Sequence, residues 1–190
     1  MGIPGWTAPA KSPRVVRVFP GTKSKIFASG NDEYYTPKDE WLNIKKYIPK
    51  GKQIWEPFNN VGHPESFQSS KYLKEMGFDV ISKPYNAKTG RNDFFKSNHG
   101  DIVVSNPPFT LKREVLTRLK ELDKPFILVL PLQTINTIYF RDLFMKEKDL
   151  GIIIPKKRID FKNKRNADSN CYDCAFYCWK VGVKGINWID

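Results

Sequence analysis

The segment Asn106-Pro107-Pro108-Phe109 combines residue types that can bind and activate an exocyclic amine. Two consecutive prolines fix the backbone and remove two N–H donors, so the carbonyl groups of this segment act purely as acceptors. The Asn106 side chain adds another acceptor, and the Phe109 ring offers a flat surface for stacking. Two acceptors that face one amine bind both of its protons and draw its lone pair out of ring conjugation. Such a segment can therefore make a weak nitrogen nucleophile reactive; the alternative is a rigid loop with no chemical role.

The hydrophobic pattern places this segment directly after a buried strand. Residues 101–105 form a β-branched run that predicts this strand, and the apolar periodicity predicts other strands and four helices. The predicted strands cover residues 53–56, 78–81, 125–130, 150–154 and 171–183, and the helices cover residues 36–48, 66–76, 110–122 and 134–146. The alternation predicts an α/β fold, a Rossmann-like, mostly parallel sheet with helices on both faces. Ligands bind at the carboxyl ends of the strands in such sheets.

Composition and charge limit the classes to which the chain can belong. Its 190 residues, 40% hydrophobic and 14% aromatic, predict a single folded domain over residues 31–190, preceded by a basic arm rich in Pro and Gly over residues 1–30. The net charge of +12 favours a polyanionic partner. The longest apolar stretch, residues 126–132, is too short for a membrane span. Three cysteines and no signal peptide favour the cytoplasm of a bacterial or phage-infected cell, or the nucleus of a eukaryote.

The Asn-Pro-Pro-Phe segment after a hydrophobic strand resembles motif IV of the S-adenosylmethionine-dependent amino-methyltransferases. Adenine-N6 enzymes carry Asp/Asn-Pro-Pro-Tyr/Phe there, and close variants occur in guanine-N2 ribosomal RNA and glutamine-N5 protein methyltransferases. Residues 54–62 resemble motif I, in which an acid, here Glu56, binds the amino group of the cofactor. In the same motif a glycine, here Gly62, lets the backbone approach the cofactor. Asn59 stands where the family has Gly, and we expect it to tolerate a left-handed backbone.

Two further segments extend this resemblance. The sequence around Tyr35, Thr36 and Pro37 resembles motif X, which holds the methionine end of the cofactor, and it also predicts a helix capped by Thr36. Asp93 and Phe94 resemble motif III, in which an acid accepts from the adenine amine and an aromatic ring packs on the adenine. The acid that ends the second strand in the family is absent. The predicted cofactor-binding residues are Tyr35, Thr36, Pro37, Glu56, Pro57, Phe58, Gly62, Asp93 and Phe94.

A basic segment between the last two predicted strands indicates a nucleic-acid surface. Six of the ten residues from 156 to 165 are basic and one is acidic. In the family this loop lies beside the target base, where Lys and Arg would meet backbone phosphates and an aromatic ring would pack against the base. A solvated charged loop is the alternative. The predicted nucleic-acid-binding residues are Lys156, Lys157, Arg158, Phe161, Lys162, Lys164 and Arg165.

The three cysteines indicate buried free thiols rather than a metal site. Cys174 and Cys178 share one face of the predicted strand, whereas Cys171 points to the other face. The spacing lacks paired Cys-x-x-Cys sets, and the two histidines, His63 and His99, lie in distant loops. We therefore predict no metal.

The resemblance implies an S-adenosylmethionine-dependent adenine-N6 DNA methyltransferase with the motif order X, I, IV. The catalytic residues would be Asn106, Pro107, Pro108 and Phe109. The alternatives are an RNA adenine or guanine amino-methyltransferase, a protein glutamine methyltransferase, and a catalytically weak nucleic-acid-binding subunit that keeps the fold. Enzymes with this motif order usually carry a further target-recognition domain, so we expect recognition here to come from loops, the basic arm or a partner chain, or to be nearly absent.

Overall fold

The computed structural model describes residues 35–59, 64–86, 89–161 and 172–189. Its helices are α1 (Lys38–Ile44), α2 (Gln68–Glu75), α3 (Lys112–Glu121) and α4 (Ile138–Phe144). Its strands are β1 (Ile54–Trp55), β2 (Val80–Ile81), β3 (Ile102–Ser105), β4 (Phe126–Pro131), β5 (Leu150–Pro155), β6 (Cys174–Trp179) and β7 (Gly185–Ile189). Short 3-10 helices cover Lys45–Tyr47, Pro64–Phe67, Phe109–Leu111 and Leu132–Asn136. No helix in these described ranges is both long and apolar enough to cross a membrane.

All the described strands belong to one sheet with the order β2-β1-β3-β4-β6-β5-β7. β1 pairs in parallel with β2 and β3, β3 with β4, and β5 with β7. β6 is antiparallel to both of its neighbours, β4 and β5. The other six strands therefore run in one direction, and their carboxyl ends lie along one edge of the sheet, which confirms the predicted mostly parallel α/β fold.

Each face of the sheet buries its own apolar cluster. On one face, Trp41 of α1 and Leu73 of α2 pack with Ile102 and Ile127 of the sheet. On the other face, residues of α3 and α4 pack with Phe126 and its neighbours. The strands in the middle of the sheet are covered on both sides, so β3, β4 and β6 are buried along their whole length. This two-sided burial explains their continuous apolar sequences.

Three details of the predicted elements were wrong. The first helix has Pro37 as its N-cap residue with no side-chain cap hydrogen bond, because a ψ of 154° keeps Pro37 extended and leaves Thr36 outside the helix. The long strand predicted over residues 171–183 is only β6, since Lys180 has a φ of 57° and ends it. The strand β7 was not predicted. The predicted arm, residues 1–30, lies outside the described residues.

Candidate active site

A buried carboxyl group lies at the carboxyl end of β1. Glu56 follows Trp55 directly and is 2% exposed. Its Oε1 accepts a hydrogen bond from Ser105 Oγ at 2.6 Å and another from the Phe58 backbone N–H at 3.0 Å. Burial raises the pKa of the Glu56 carboxyl to about 7, and these two hydrogen bonds oppose the increase. An acid that is buried without a cationic partner among these contacts is suited to binding a cation.

The Glu56–Ser105 hydrogen bond brings motif I and motif IV together. Ser105 is the last residue of β3 and is fully buried, and Asn106 follows it directly. β1 and β3 are neighbours in the sheet, with Trp55 paired to Val103. The motif resemblance predicts a role for Glu56 and for Asn106 but none for Ser105. A hydroxyl residue at the end of the apolar run 102–104 was the available signal.

Asn59 has a role that differs from the one expected. Apart from glycines, the described residues with a left-handed backbone are Asn92, Asp123 and Lys180, so Asn59 does not supply the predicted left-handed turn. It is fully buried instead. Its Nδ2 donates to the Glu56 backbone carbonyl at 3.1 Å and to Ser82 Oγ at 2.6 Å.

Asn59 thereby connects the carboxyl ends of β1 and β2. Ser82 directly follows β2 and occupies the place where the family has an acid. Asp79 precedes β2 and accepts a hydrogen bond from Gln53 Nε2 at 2.7 Å, so it lies at the opposite end of the strand from Ser82. The Oδ1 atom of Asn59 has no hydrogen-bond partner among the described residues.

The Asn-Pro-Pro-Phe segment connects β3 to a helical turn that leads into α3. Asn106 is half-buried and Pro107 is buried. Lys112 Nζ donates to the Phe109 carbonyl oxygen at 3.0 Å, which holds the start of the turn. Phe109 is 5% exposed. Its ring makes T-shaped contacts with the rings of Phe161 and Tyr172, whose centroids lie 6.2 Å and 5.7 Å from its own.

These ring contacts place the described part of the basic segment, residues 156–161, beside motif IV. Phe161 follows β5 and Tyr172 precedes β6, so both ends of the connection between these strands reach Phe109. Phe161 is 7% exposed and belongs to the core, and its predicted contact with the target base stays a prediction. It is buried because its ring fills the space against Phe109.

Within the basic segment, the described Lys and Arg residues follow β5, whose carboxyl end lies at the same edge of the sheet as Glu56. Lys156 and Lys157 follow the carboxyl end of β5 and are exposed. Arg158 Nε lies 2.8 Å from Asp173 Oδ1, in an ion pair that remains open to solvent. Lys162, Lys164 and Arg165 lie outside the described residues, as does Gly62 of motif I.

The motif X residues begin the chain's first described helix. Thr36 is 1% exposed, and its hydroxyl Oγ1 has no hydrogen-bond partner among the described residues. Pro37 is the N-cap residue of α1, and Tyr35 precedes both. A buried hydroxyl without a partner has a donor and acceptor left for a ligand, which is consistent with the predicted role of Thr36.

The motif III residues are both buried. Asp93 is 6% exposed, and its Oδ1 accepts from the Phe95 backbone N–H at 3.0 Å. Phe94 is 1% exposed. The centroid of its ring lies 5.3 Å from that of Trp55 and 4.9 Å from that of Phe58. Neighbouring aromatic residues thus enclose the Phe94 ring, and its packing on a ligand ring stays a prediction.

The two described cysteines are structural. Cys174 and Cys178 are free and buried on one face of β6, as predicted, and burial raises the pKa of each thiol to about 12. Within the described ranges, no group of three His, Cys, Asp or Glu side chains could hold a metal ion. Cys171 lies outside these ranges.

Two comparisons with known proteins found similar proteins. No family model matches the chain. The chain is 31% identical over 170 residues to Type II methyltransferase M.EcoRI from Escherichia coli. The match covers 73% of this chain and 48% of that protein, so the chain spans about half of its relative's length. A solved structure from Vibrio vulnificus YJ016, assigned as the modification subunit of a type I restriction enzyme, matches with a TM-score of 0.45 and 12% identity, covering 85% of this chain and 48% of that one. The chain is thus similar in sequence to a type II methyltransferase over about half of that protein, which confirms the methyltransferase resemblance that its motifs indicate.

Proposed function

We propose that this chain transfers a methyl group from S-adenosylmethionine to the exocyclic N6 amine of adenine in DNA. The observation that carries the proposal is the 2.6 Å hydrogen bond between Ser105 and Glu56. It joins a buried carboxyl group suited to a cation with the strand end from which the amine-binding segment begins. The similarity to a type II methyltransferase supports the same activity.

The side chains at this edge of the sheet fit the polar groups of S-adenosylmethionine. The Glu56 carboxylate would accept from the cofactor's ammonium group. The Thr36 hydroxyl, which has no partner among the described residues, would donate to the cofactor's carboxylate. Asn59 Oδ1 and Ser82 Oγ would accept from the ribose hydroxyls in place of the missing acid. When bound, the cofactor supplies an electrophilic methyl group on a sulfonium sulfur.

The motif IV segment would orient the target amine. The Asn106 side-chain oxygen and the Pro107 carbonyl would accept the two N6 hydrogens, which raises the electron density on the nitrogen. An amine held in this way would be oriented to accept the methyl group that the bound cofactor would supply, and one of its two N6 hydrogens would leave as a proton to solvent. The adenine must leave the duplex to reach this segment, at a cost of a few kcal/mol. Orientation and electrostatics would supply the catalysis, without a covalent intermediate.

The basic residues would bind the DNA backbone. Lys156 and Lys157 lie at the edge of the sheet where the target base would enter, and the net charge of +12 favours a polyanion. Under this proposal residues 31–190 form one methyltransferase domain, residues 1–30 contribute a basic arm, and a partner chain contributes to target recognition. Such a protein would act in the bacterial cytoplasm.

Two measurements test the proposed function. Isothermal titration calorimetry with S-adenosylmethionine measures cofactor binding, and we expect a micromolar dissociation constant. Incubation with the cofactor and a mixture of DNA and RNA, followed by mass spectrometry of the nucleosides, identifies the product. We expect N6-methyladenine in DNA; methylated RNA or methylated guanine would instead support one of the alternative substrates.

A catalytically weak nucleic-acid-binding subunit is the second candidate. The specific observation in its favour is Ser82 at the end of β2, where a neutral hydroxyl replaces the family's acid. In that case the protein binds DNA but gives no calorimetric signal with S-adenosylmethionine. The two candidates therefore predict opposite results in the first measurement.

A further inference from the structure

Ser105 directly precedes the proposed catalytic segment and contacts Glu56 of the proposed cofactor site. It is fully buried, and its hydroxyl donates to Glu56 Oε1 at 2.6 Å. The Phe58 backbone N–H donates to the same oxygen at 3.0 Å. Both described hydrogen bonds to this carboxyl group thus end on Oε1, and Ser105 is the side chain that contributes one of them.

Among the described residues, no charged group joins Ser105 in shifting the pKa of Glu56. The elements next to Glu56 are the ends of β2 and β3, which contribute Ser82 and Ser105, and neither side chain titrates. The pKa of Glu56 is displaced by burial, by Ser105 and by Phe58, with no contribution from a neighbouring charge. A hydrogen bond to the anion favours ionisation, whereas burial opposes it. The balance between these two effects determines whether Glu56 is charged near neutral pH.

We propose that Ser105 is a positioning residue that keeps the Glu56 carboxylate ionised and oriented toward the cofactor's ammonium group, so that cofactor affinity depends on pH. This inference rests on the proposed function. Ser105 also precedes Asn106 directly, so one residue supports the cofactor-binding acid through its side chain and the catalytic segment through its backbone. Only an ionised Glu56 binds the ammonium strongly, because a protonated carboxyl group carries no charge.

Calorimetry with S-adenosylmethionine as a function of pH measures the effect of Ser105. For the wild-type protein we expect affinity about 5-fold weaker at pH 6 than at pH 8, because the ionised fraction of Glu56 rises about 10-fold while about half of the cofactor's amino groups lose their proton at pH 8. Ser105→Ala removes a hydrogen bond to the anion and should weaken binding by a further factor of about 10 at pH 7. This deficit should shrink at higher pH, where Glu56 ionises in both proteins. Ser105→Thr, which keeps the hydroxyl, should restore the wild-type profile.

Ser70→Ala is the matched control. Ser70 is a buried serine of α2 whose hydroxyl donates to the Phe67 carbonyl oxygen at 2.9 Å, away from Glu56. Its loss should affect stability without changing the pH profile of binding. If Ser105→Ala weakens binding by the same factor at every pH, Ser105 has only a structural role and the inference is wrong.

A titration of the cofactor-free protein separates this inference from the proposed function. The Glu56 carboxyl resonance can be followed by NMR in protein labelled with carboxyl-13C glutamate and assigned by its absence in Glu56→Gln. We expect its midpoint to rise by about one pH unit or more in Ser105→Ala and to stay unchanged in Ser70→Ala. An unchanged midpoint in Ser105→Ala overturns the inference even if the cofactor binds. A raised midpoint in a protein that binds no cofactor supports the role of Ser105 in ionisation and refutes the proposed function.

Discussion

Replacing Glu56 by Gln should make the protein more stable above neutral pH. Burial raises the pKa of this carboxyl group from 4.5 to about 7 in the folded protein. Between these two pH values the native state binds more protons than the unfolded state, so wild-type stability falls as pH rises. The difference between the two pKa values corresponds to about 3 kcal/mol of lost stability above pH 7. Glutamine has a similar shape and no charge, so Glu56→Gln should avoid this loss.

Urea denaturation of both proteins at pH 5, 6, 7 and 8 measures this effect. The stability of Glu56→Gln minus that of the wild type should be small at pH 5 and increase to about 3 kcal/mol at pH 8. Taking the difference removes the contributions of all other titrating groups that the two proteins share. A difference that stays flat across this range would show that Glu56 titrates normally, and the reasoning about its burial would be refuted.

Glu75→Gln is the control, because the pKa of Glu75 is lowered whereas that of Glu56 is raised. Glu75 Oε2 lies 2.7 Å from Lys38 Nζ, and this contact lowers the pKa of the exposed Glu75. Its contribution to stability is therefore present above its unfolded pKa and is lost as pH falls through its folded pKa. Glu75→Gln should accordingly be no more stable than the wild type at pH 8, and its curve should change only in the acid range.

The same Glu56→Gln variant should bind the cofactor poorly. Loss of a hydrogen bond to an ionised group costs roughly 1.5–3 kcal/mol, which corresponds to an increase of about 10- to 150-fold in the dissociation constant of S-adenosylmethionine. Increased stability together with weaker binding is the combined result that the proposed site requires. Equal binding by both proteins would show that the assignment of Glu56 to the cofactor is wrong.

Three further predictions concern other parts of the site. Asn106→Ala should reduce turnover by at least ~100-fold at saturating cofactor, measured in the methylation assay, because it removes one acceptor from the target amine. Asn59→Gly should reduce the free energy of unfolding by about 2 kcal/mol in urea denaturation, since two hydrogen bonds are lost and no left-handed strain is relieved; unchanged stability would contradict the bridging role of Asn59. Changing Lys156 and Lys157 to Ala should reduce the salt dependence of DNA binding by a slope of about two at most, measured by fluorescence anisotropy, and an unchanged slope would place the phosphate contacts elsewhere.

The sequence was most informative where burial is two-sided. β3 and β4 are continuous apolar runs covered by helices on both faces, and such runs are visible as strands without any structure. The strand β7 was missed because it lies at the edge of the sheet and is largely exposed, with Ile186 and Trp188 open to solvent. A hydrophobic sequence pattern indicates a strand only where its side chains are buried, so an exposed edge strand such as β7 has a weak hydrophobic pattern.

The predicted helix cap was wrong because two local preferences compete at Thr36 and Pro37. Thr is a good cap, and Pro is common at the first helical position. Here Pro37 keeps the extended conformation, with a ψ of 154°, and the helix begins one residue later. The displaced Thr36 hydroxyl is left without a partner among the described residues, and this feature supports its assignment to the cofactor. Local propensity could not have revealed it.

The polar contacts of the site depend on strand order, which the sequence does not reveal directly. Ser105 and Glu56 are 49 residues apart, and Asn59 and Ser82 are 23 apart. These residues meet because β2 and β3 flank β1 in parallel, which brings three carboxyl ends to one place on the sheet edge. The resemblance to motif I and motif IV therefore predicted an acid and an amine-binding segment but not the residues that connect them.

The energetic balance at Glu56 supports a binding role for this residue. A buried carboxyl group whose described contacts are one serine and one backbone N–H costs stability once it ionises, and a neutral side chain of the same shape would not. None of its contacts with the described residues makes it necessary for the fold, since the neighbouring strands are held by their own backbone pairing and by apolar packing. A cationic ligand would remove the cost by supplying the charge that the protein lacks at this point. We infer that Glu56 is retained for such a ligand, and that Ser105 limits its cost while the site is empty.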